Sequence, residues 1–139
     1  MAEHNSVQAA AKAAGKKLDG AINGGSLRRF QVDVNLAAQA SGDTINLLTL
    51  PRGYRFAYGV LNSDTSLGAS TLAIGVAADP AKFRAAAIFT ATDTPTLFGK
   101  QAPTREAEGD EQAIIATVGA AALPGAGNLT IDIYASERG

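Results

Sequence analysis

From Leu27 onward the apolar residues fall on every second position. Phe30, Val32, Val34 and Leu36 alternate with Gln31, Asp33 and Asn35, the period of a strand with one buried face. A helix would scatter the same residues around its whole circumference. The alternation returns in Tyr54, Phe56, Tyr58 and Val60, opposed by Arg55, Ala57 and Gly59, then in Leu72, Ile74 and Val76 against Thr71, Ala73 and Gly75, and again in Leu129, Ile131 and Ile133. Ser41-Gly42-Asp43, Leu50-Pro51-Arg52-Gly53, Asn62 to Ser66 and Pro124-Gly125-Ala126-Gly127 separate the runs with residues that favour turns. Thr44 to Leu50 carries Ile45, Leu47, Leu48 and Leu50 on both faces, as expected of a strand inside a sandwich or interface. The Pro51 to Gly53 turn predicts that this strand pairs with Tyr54 to Val60 as a hairpin. With Gln112 to Val118 and Leu129 to Ala135 as further strands, the pattern predicts an all-β chain, a β-sandwich or jelly-roll-like domain.

One short helix interrupts the expected strands. Asp79 is a capping residue and Pro80 suits a first helical position, so Asp79 to Ala86 reads as helix, with Ile88 to Thr92 returning to strand. Thr92 to Gly109, polar and holding Pro95 and Pro103, reads as one long loop of the kind that often carries function, followed by the acidic run Glu106 to Glu111.

Residues 1–25 differ from the rest, being Ala-rich, dotted with lysine and free of aromatic residues. They read as an N-terminal arm preceding a β-sandwich domain at 26–139, with a helix from about Ser6 to Ala14 that Gly15 ends. Val7, Ala10, Ala11, Ala14 and Leu18 recur at helical spacing. Their methyl-rich face buries little area, so the helix is expected to order by docking on another surface. These five residues, with Arg28 and Arg29, are the candidate protein-binding residues. At 139 residues the chain has the length of one domain, enough to bury a core without disulfides or metal.

Several kinds of chemistry are excluded or disfavoured. No cysteine is present, which removes thiol nucleophiles and Cys-based zinc sites. Twelve Lys+Arg against thirteen Asp+Glu give a net charge of −1, so there is no global field for a nucleic-acid backbone. No segment has the length and hydropathy of a membrane span or the apolar core of a signal peptide. The single histidine, His4, lies in the arm, where nothing orients it as a base. Asp64-Thr65-Ser66 resembles an aspartic-protease signature, but Asn62 and Ser63 precede it where those enzymes have an apolar strand, and a turn is the expected reading. Glu106 to Glu111 lacks the Asp-x-Asp-x-Asp-Gly spacing of a calcium loop and reads as a solvated charged loop. Asn128-Leu129-Thr130 is a glycosylation sequon without a secretory context, and Gly125-Ala126-Gly127 is no phosphate loop. Tyr54, Phe56 and Tyr58 are read as core aromatics in preference to a sugar-stacking platform, because a chain without Trp needs them inside. No catalytic residue, metal site or cofactor is expected. Charged residues make up only 18% of the chain, below the usual quarter or so, and a surface short of charge suits one that is covered.

Gly42-Asp43-Thr44-Ile45, Leu50-Pro51-Arg52-Gly53-Tyr54 and Leu67-Gly68-Ala69-Ser70-Thr71-Leu72-Ala73-Ile74-Gly75 together resemble the small β-rich structural proteins of tailed-bacteriophage virions, closest to capsid decoration or cement proteins. The resemblance spans Leu27 to Phe98 and rests on strand and turn pattern. It implies a non-enzymatic protein made in the host cytoplasm and carried on the capsid surface. It further implies a homo-oligomer, a trimer in the first instance, that bridges the major capsid protein through an extended terminus. The arm is Ala-rich where the family has an extended segment. Two other readings stand beside this one: a head or tail fibre, adaptor or sugar-binding module using Tyr54, Tyr58 and the Thr92 to Gly109 loop, and an aspartic hydrolase acting through Asp64.

Overall fold

The alternating runs become strands that fold as one long hairpin rolled up on itself. In the computed structural model, which describes residues 26–106 and 109–137 together with Gly15, the strands are β1 (Ser26–Asn35), β2 (Thr44–Leu50), β3 (Tyr54–Ser63), β4 (Thr71–Val76), β5 (Asp79–Ile88), β6 (Thr96–Phe98), β7 (Gln112–Gly119) and β8 (Asn128–Glu137), with one helix, α1 (Gln101–Arg105), between β6 and β7. The antiparallel pairs are nested: β4 with β5, β3 with β6, β2 with β7 and β1 with β8. Rolling this ribbon gives two four-stranded sheets, β1-β8-β3-β6 and β2-β7-β4-β5, the two-sheet jelly roll. The all-β sandwich expected from the alternation is the observed fold.

The two inner faces meet in a single core. Leu61, Leu129, Ile131 and Ile133 from the first sheet face Leu72, Ile74, Ile114, Ala116 and Val118 from the second, each of them essentially removed from water. Phe83 on β5 lies between the layers and stacks on Phe56 of β3, ring centroids 4.4 Å apart. Each of these side chains larger than alanine contributes about 1.5–3 kcal/mol by burial.

Four sequence expectations are corrected by this topology. Asp79 to Ala86 is strand, not helix. Asp79 lies opposite Val76 and Ile88 opposite Thr71, and the ladder with β4 plus the burial of Phe83 outweigh the local capping signal of Asp79-Pro80. Pro80 is accommodated because it sits near the start of an edge strand. The strand expected over Ile88 to Thr92 ends at Ile88. The stretch Thr92 to Gly109 is not one loop but holds β6 and α1, so the described residues do contain one short helix, at a different place. Finally, β2 and β3 do not form a hairpin. They are consecutive strands on one arm of the rolled ribbon, and Pro51 to Gly53, with Gly53 at φ +87°, carries the chain from one sheet to the other.

Two bulges explain patterns that alternation alone misreads. A register shift between Asn46 and Leu48 places Ile45 opposite Ala116 and Leu48 opposite Ile114, so the adjacent leucines of β2 reflect an extra residue and not a strand buried on both faces; β2 is an edge strand. A second shift between Phe56 and Tyr58 reverses the phase of β3. Phe56 points into the core, whereas after the bulge Gly59, Leu61 and Ser63 are buried instead. The expected helix Ser6 to Ala14 and the arm at 1–25 lie outside the described residues, apart from Gly15.

Candidate protein interface

The reversal in β3 puts polar and aromatic side chains on the outer face of the first sheet. Asp132, near the middle of β8, lies opposite Gln31 on β1 and Val60 on β3. Its side chain is covered by its neighbours on that face, leaving the residue 8% exposed. Oδ2 accepts a hydrogen bond from Nη2 of Arg29 at 3.0 Å, and Oδ1 is buried with no partner among the described residues. This hydrogen bond and the charge beside it raise the pKa of Arg29 further above its ordinary value. Arg29, Gln31, Asn62, Pro95, Asp132 and Tyr134 line a shallow groove there. Tyr134 stacks on Tyr58, rings 4.7 Å apart and 13° from parallel.

Arg28 points to the other side of β1. Its Nη2 meets Oε1 of Glu137 at 3.0 Å, and the phenol of Tyr54 donates to Oε2 of the same carboxylate at 3.0 Å. Burial first, then this hydrogen bond, push the Tyr54 hydroxyl above its usual pKa. Tyr54 also packs edge-on against Phe30, centroids 5.4 Å apart. Arg28 and Arg29 are thus described, on opposite faces of one strand and each tied to a carboxylate of β8. Val7, Ala10, Ala11, Ala14, Leu18 and His4 lie outside the described residues.

The aromatic run of β3 is split by its bulge. Tyr54 and Phe56 belong to the core side, while Tyr58 stands on the outer face, so the expectation that all three are core residues is corrected for Tyr58. Tyr54 and Tyr58 on opposite faces do not make one stacking platform for a sugar. Tyr58 and Tyr134 each occupy one ring face with the other.

The remaining candidates have structural work. Asp64 accepts from the backbone N–H of Asn128 at 2.8 Å and from the Thr65 hydroxyl at 2.9 Å, and these bonds hold its carboxyl below the usual carboxylate range. Its hydrogen-bond partners are thus a hydroxyl and a backbone amide, whereas a proton-sharing acid pair needs a second carboxylate on the first. Asp64 is the turn residue expected. Of the acidic run, Glu106 takes the Lys82 ammonium at 3.0 Å and Asp110 lies 3.8 Å from Arg52. No group of three His, Cys, Asp or Glu among the described residues is placed to hold a metal ion.

No protein-family model matches the chain, and no curated protein matches its sequence. Solved structures do match. A chain in the capsid of Ralstonia phage GP4 aligns with 83% of this chain and 86% of its own length, with a TM-score of 0.66 and 22% identity. One in the cyanophage Pam1 capsid asymmetric unit covers 99% of both chains at a TM-score of 0.59 and 21% identity. This chain has the fold of phage-capsid chains. A third match, in the acid-stable capsid of Helicobacter pylori bacteriophage KHP30, covers 80% of this chain and 93% of that one at a TM-score of 0.55 and 11% identity. The resemblance to phage virion structural proteins drawn from the strand and turn pattern therefore holds, as a likeness of fold.

Sequence reasoning missed Asp132, Tyr134 and Glu137. The signal was present, since Asp132 is a charge at an outward position of the strand Leu129 to Ala135. It becomes informative only once β1 and β8 are known to be neighbours, which sets Arg29 beside it.

Proposed function

We propose that this chain is a non-enzymatic virion structural protein that binds an assembled phage capsid and stabilises it as a decoration or cement protein. The observation that carries the reading is the match of the fold, over four-fifths or more of the chain, to chains found in three phage capsids. Its partner is the major capsid protein and its place the outer capsid surface, which it occupies as a homo-oligomer. Because each copy binds the assembled lattice and not its separated subunits, occupancy lowers the free energy of the shell by mass action. Residues 1–25, with Val7, Ala10, Ala11, Ala14 and Leu18 as the contact face, reach from the domain to the shell. Arg28 and Arg29 lie where that arm enters the sheet.

Particles pelleted from the source lysate and analysed by quantitative mass spectrometry test this. The expected result is a ratio of this chain to the major shell protein near a small whole number. A few copies per particle would reassign it to a fibre or adaptor, and its absence from particles would overturn the virion reading.

A further inference from the structure

Among the described residues two four-stranded sheets leave four strand edges, and a bare edge is a template for another strand. Three of the four carry a feature that blocks pairing. β2 is broken by its bulge at Leu47. β5 has Pro80 as its second residue, is irregular in register, and has its Ala87 and Ile88 carbonyls taken by the Arg84 guanidinium. β6 is three residues long. β1 has none of these. It is ten residues long and keeps register with β8 without a shift, from Ser26 opposite Glu137 to Asn35 opposite Asn128. Its arginines are drawn back onto its own sheet by Glu137 and Asp132. Phe30 and Val32 point to the core side yet are only half-buried, since no strand lies beyond them among the described residues.

We propose that the free edge of β1 pairs antiparallel with β1 of a second copy, Gln31 opposite Gln31, joining two sheets into one of eight strands across a twofold axis. The register follows from parity and charge. Directly opposed residues of an antiparallel pair point to the same face. Both cores therefore lie on one side of the joined sheet only if even-numbered residues, which face the core, oppose even-numbered ones. Centring on Phe30 sets Arg29 against Gln31, and centring on Val32 sets it against Asn35 with a shorter overlap. Centring on Gln31 places Arg29 of each copy opposite Asp33 of the other, twice, and lays Phe30 beside Val32 on the core side. The contact is self-complementary and closes as a dimer, so it builds even-numbered assemblies in place of the trimer that the family resemblance implies.

The absence of cysteine makes a sharp test, because any introduced thiol is the only one. In the proposed register the two Gln31 Cα atoms lie roughly 4.5–5.5 Å apart, within disulfide reach, whereas the two copies of Arg29, or of Asp33, are displaced by about 13 Å. The purified full-length chain carrying Q31C, an exposed position, is expected to oxidise to a linked dimer, while R29C and D33C stay unlinked. Asp33→Arg, which sets like charges opposite one another, is expected to weaken the dimer about tenfold in analytical ultracentrifugation. Equal linking of all three cysteine variants would overturn the register. A chain that sediments as monomer or trimer with no Q31C linkage would overturn the proposal. So would linkage that appears only after removal of residues 2–25, since the arm would then be the occupant of the edge. No particle is present in these experiments, so their outcome is independent of capsid binding.

Discussion

Asp64 ties a loop to the strand that follows it in space. It receives two donors on one carboxylate oxygen, and its own N–H donates to the Asn128 carbonyl at 3.2 Å. Because these bonds lower its pKa in the folded chain, the unfolded chain binds the proton more readily at acid pH. The associated stability is complete above the ordinary carboxylate range and is lost as pH falls through the lower folded value. Asp64→Asn keeps an acceptor oxygen but has no proton to gain. The variant therefore lacks the stability linked to the ionised carboxylate, and is expected to be less stable than the parent near neutrality and to converge with it on acidification, as measured by urea denaturation across that range. A parallel fall of both curves would show that other groups set the acid limit. Gly59 works differently, by having no side chain. The Phe98 ring lies over it so closely that a Cβ there would enter the ring, which is how the three-residue β6 keeps its aromatic anchored on β3.

At the level of the element, β5 shows what an edge strand needs when its ladder is irregular. The Arg84 guanidinium donates to the carbonyls of Leu72, Ala87 and Ile88, and burial draws its pKa down from the usual arginine value. Arg84→Ala strands these acceptors and is expected to cost roughly 1–3 kcal/mol, with hydrogen exchange rising first in β4 and β5. Arg84→Lys should recover little, because an ammonium lacks the planar fork that reaches several carbonyls. If Arg84→Ala leaves stability unchanged, water serves those carbonyls equally well. The same strand marks the limit of what alternation reveals. β1, β3, β4 and β8 were legible from period two and turn residues, and β2 and β7 from short apolar runs between turn residues. β5 was not, because Asp79-Pro80 is a sound local helix signal and the ladder that overrides it comes from residues distant in sequence. The bulges in β2 and β3 were invisible for a related reason: an inserted residue is defined by the strand opposite. Asp132 and Arg29 stayed unlinked in the sequence because their partnership is a product of sheet order.

For the molecule as a whole, the buried core among the described residues runs from Val34 to Ala135 and draws on both sheets. Residues 2–25 are read from the sequence as an arm preceding the domain, so deleting them is expected to leave the thermal midpoint of the domain within about a degree or two of the parent. The same deletion is expected to reduce occupancy on purified particles. Unchanged occupancy would remove the arm from the binding surface, and a collapse of the thermal transition would show that these residues belong to the fold.

The nested pairing has a consequence for how the chain is made. Arg28 and Glu137, bonded in the folded protein, are 109 positions apart, and β8 is flanked on both sides, by β1 and by β3. A growing polypeptide on the ribosome can close its innermost rung, β4 with β5, early, but β1 has no mate until β8 has been synthesised, and such distant closures are slow. A product terminated before β8 lacks the middle of a sheet. Truncated products of that kind are expected to stay unfolded, which would keep them out of any assembly that requires the folded sandwich.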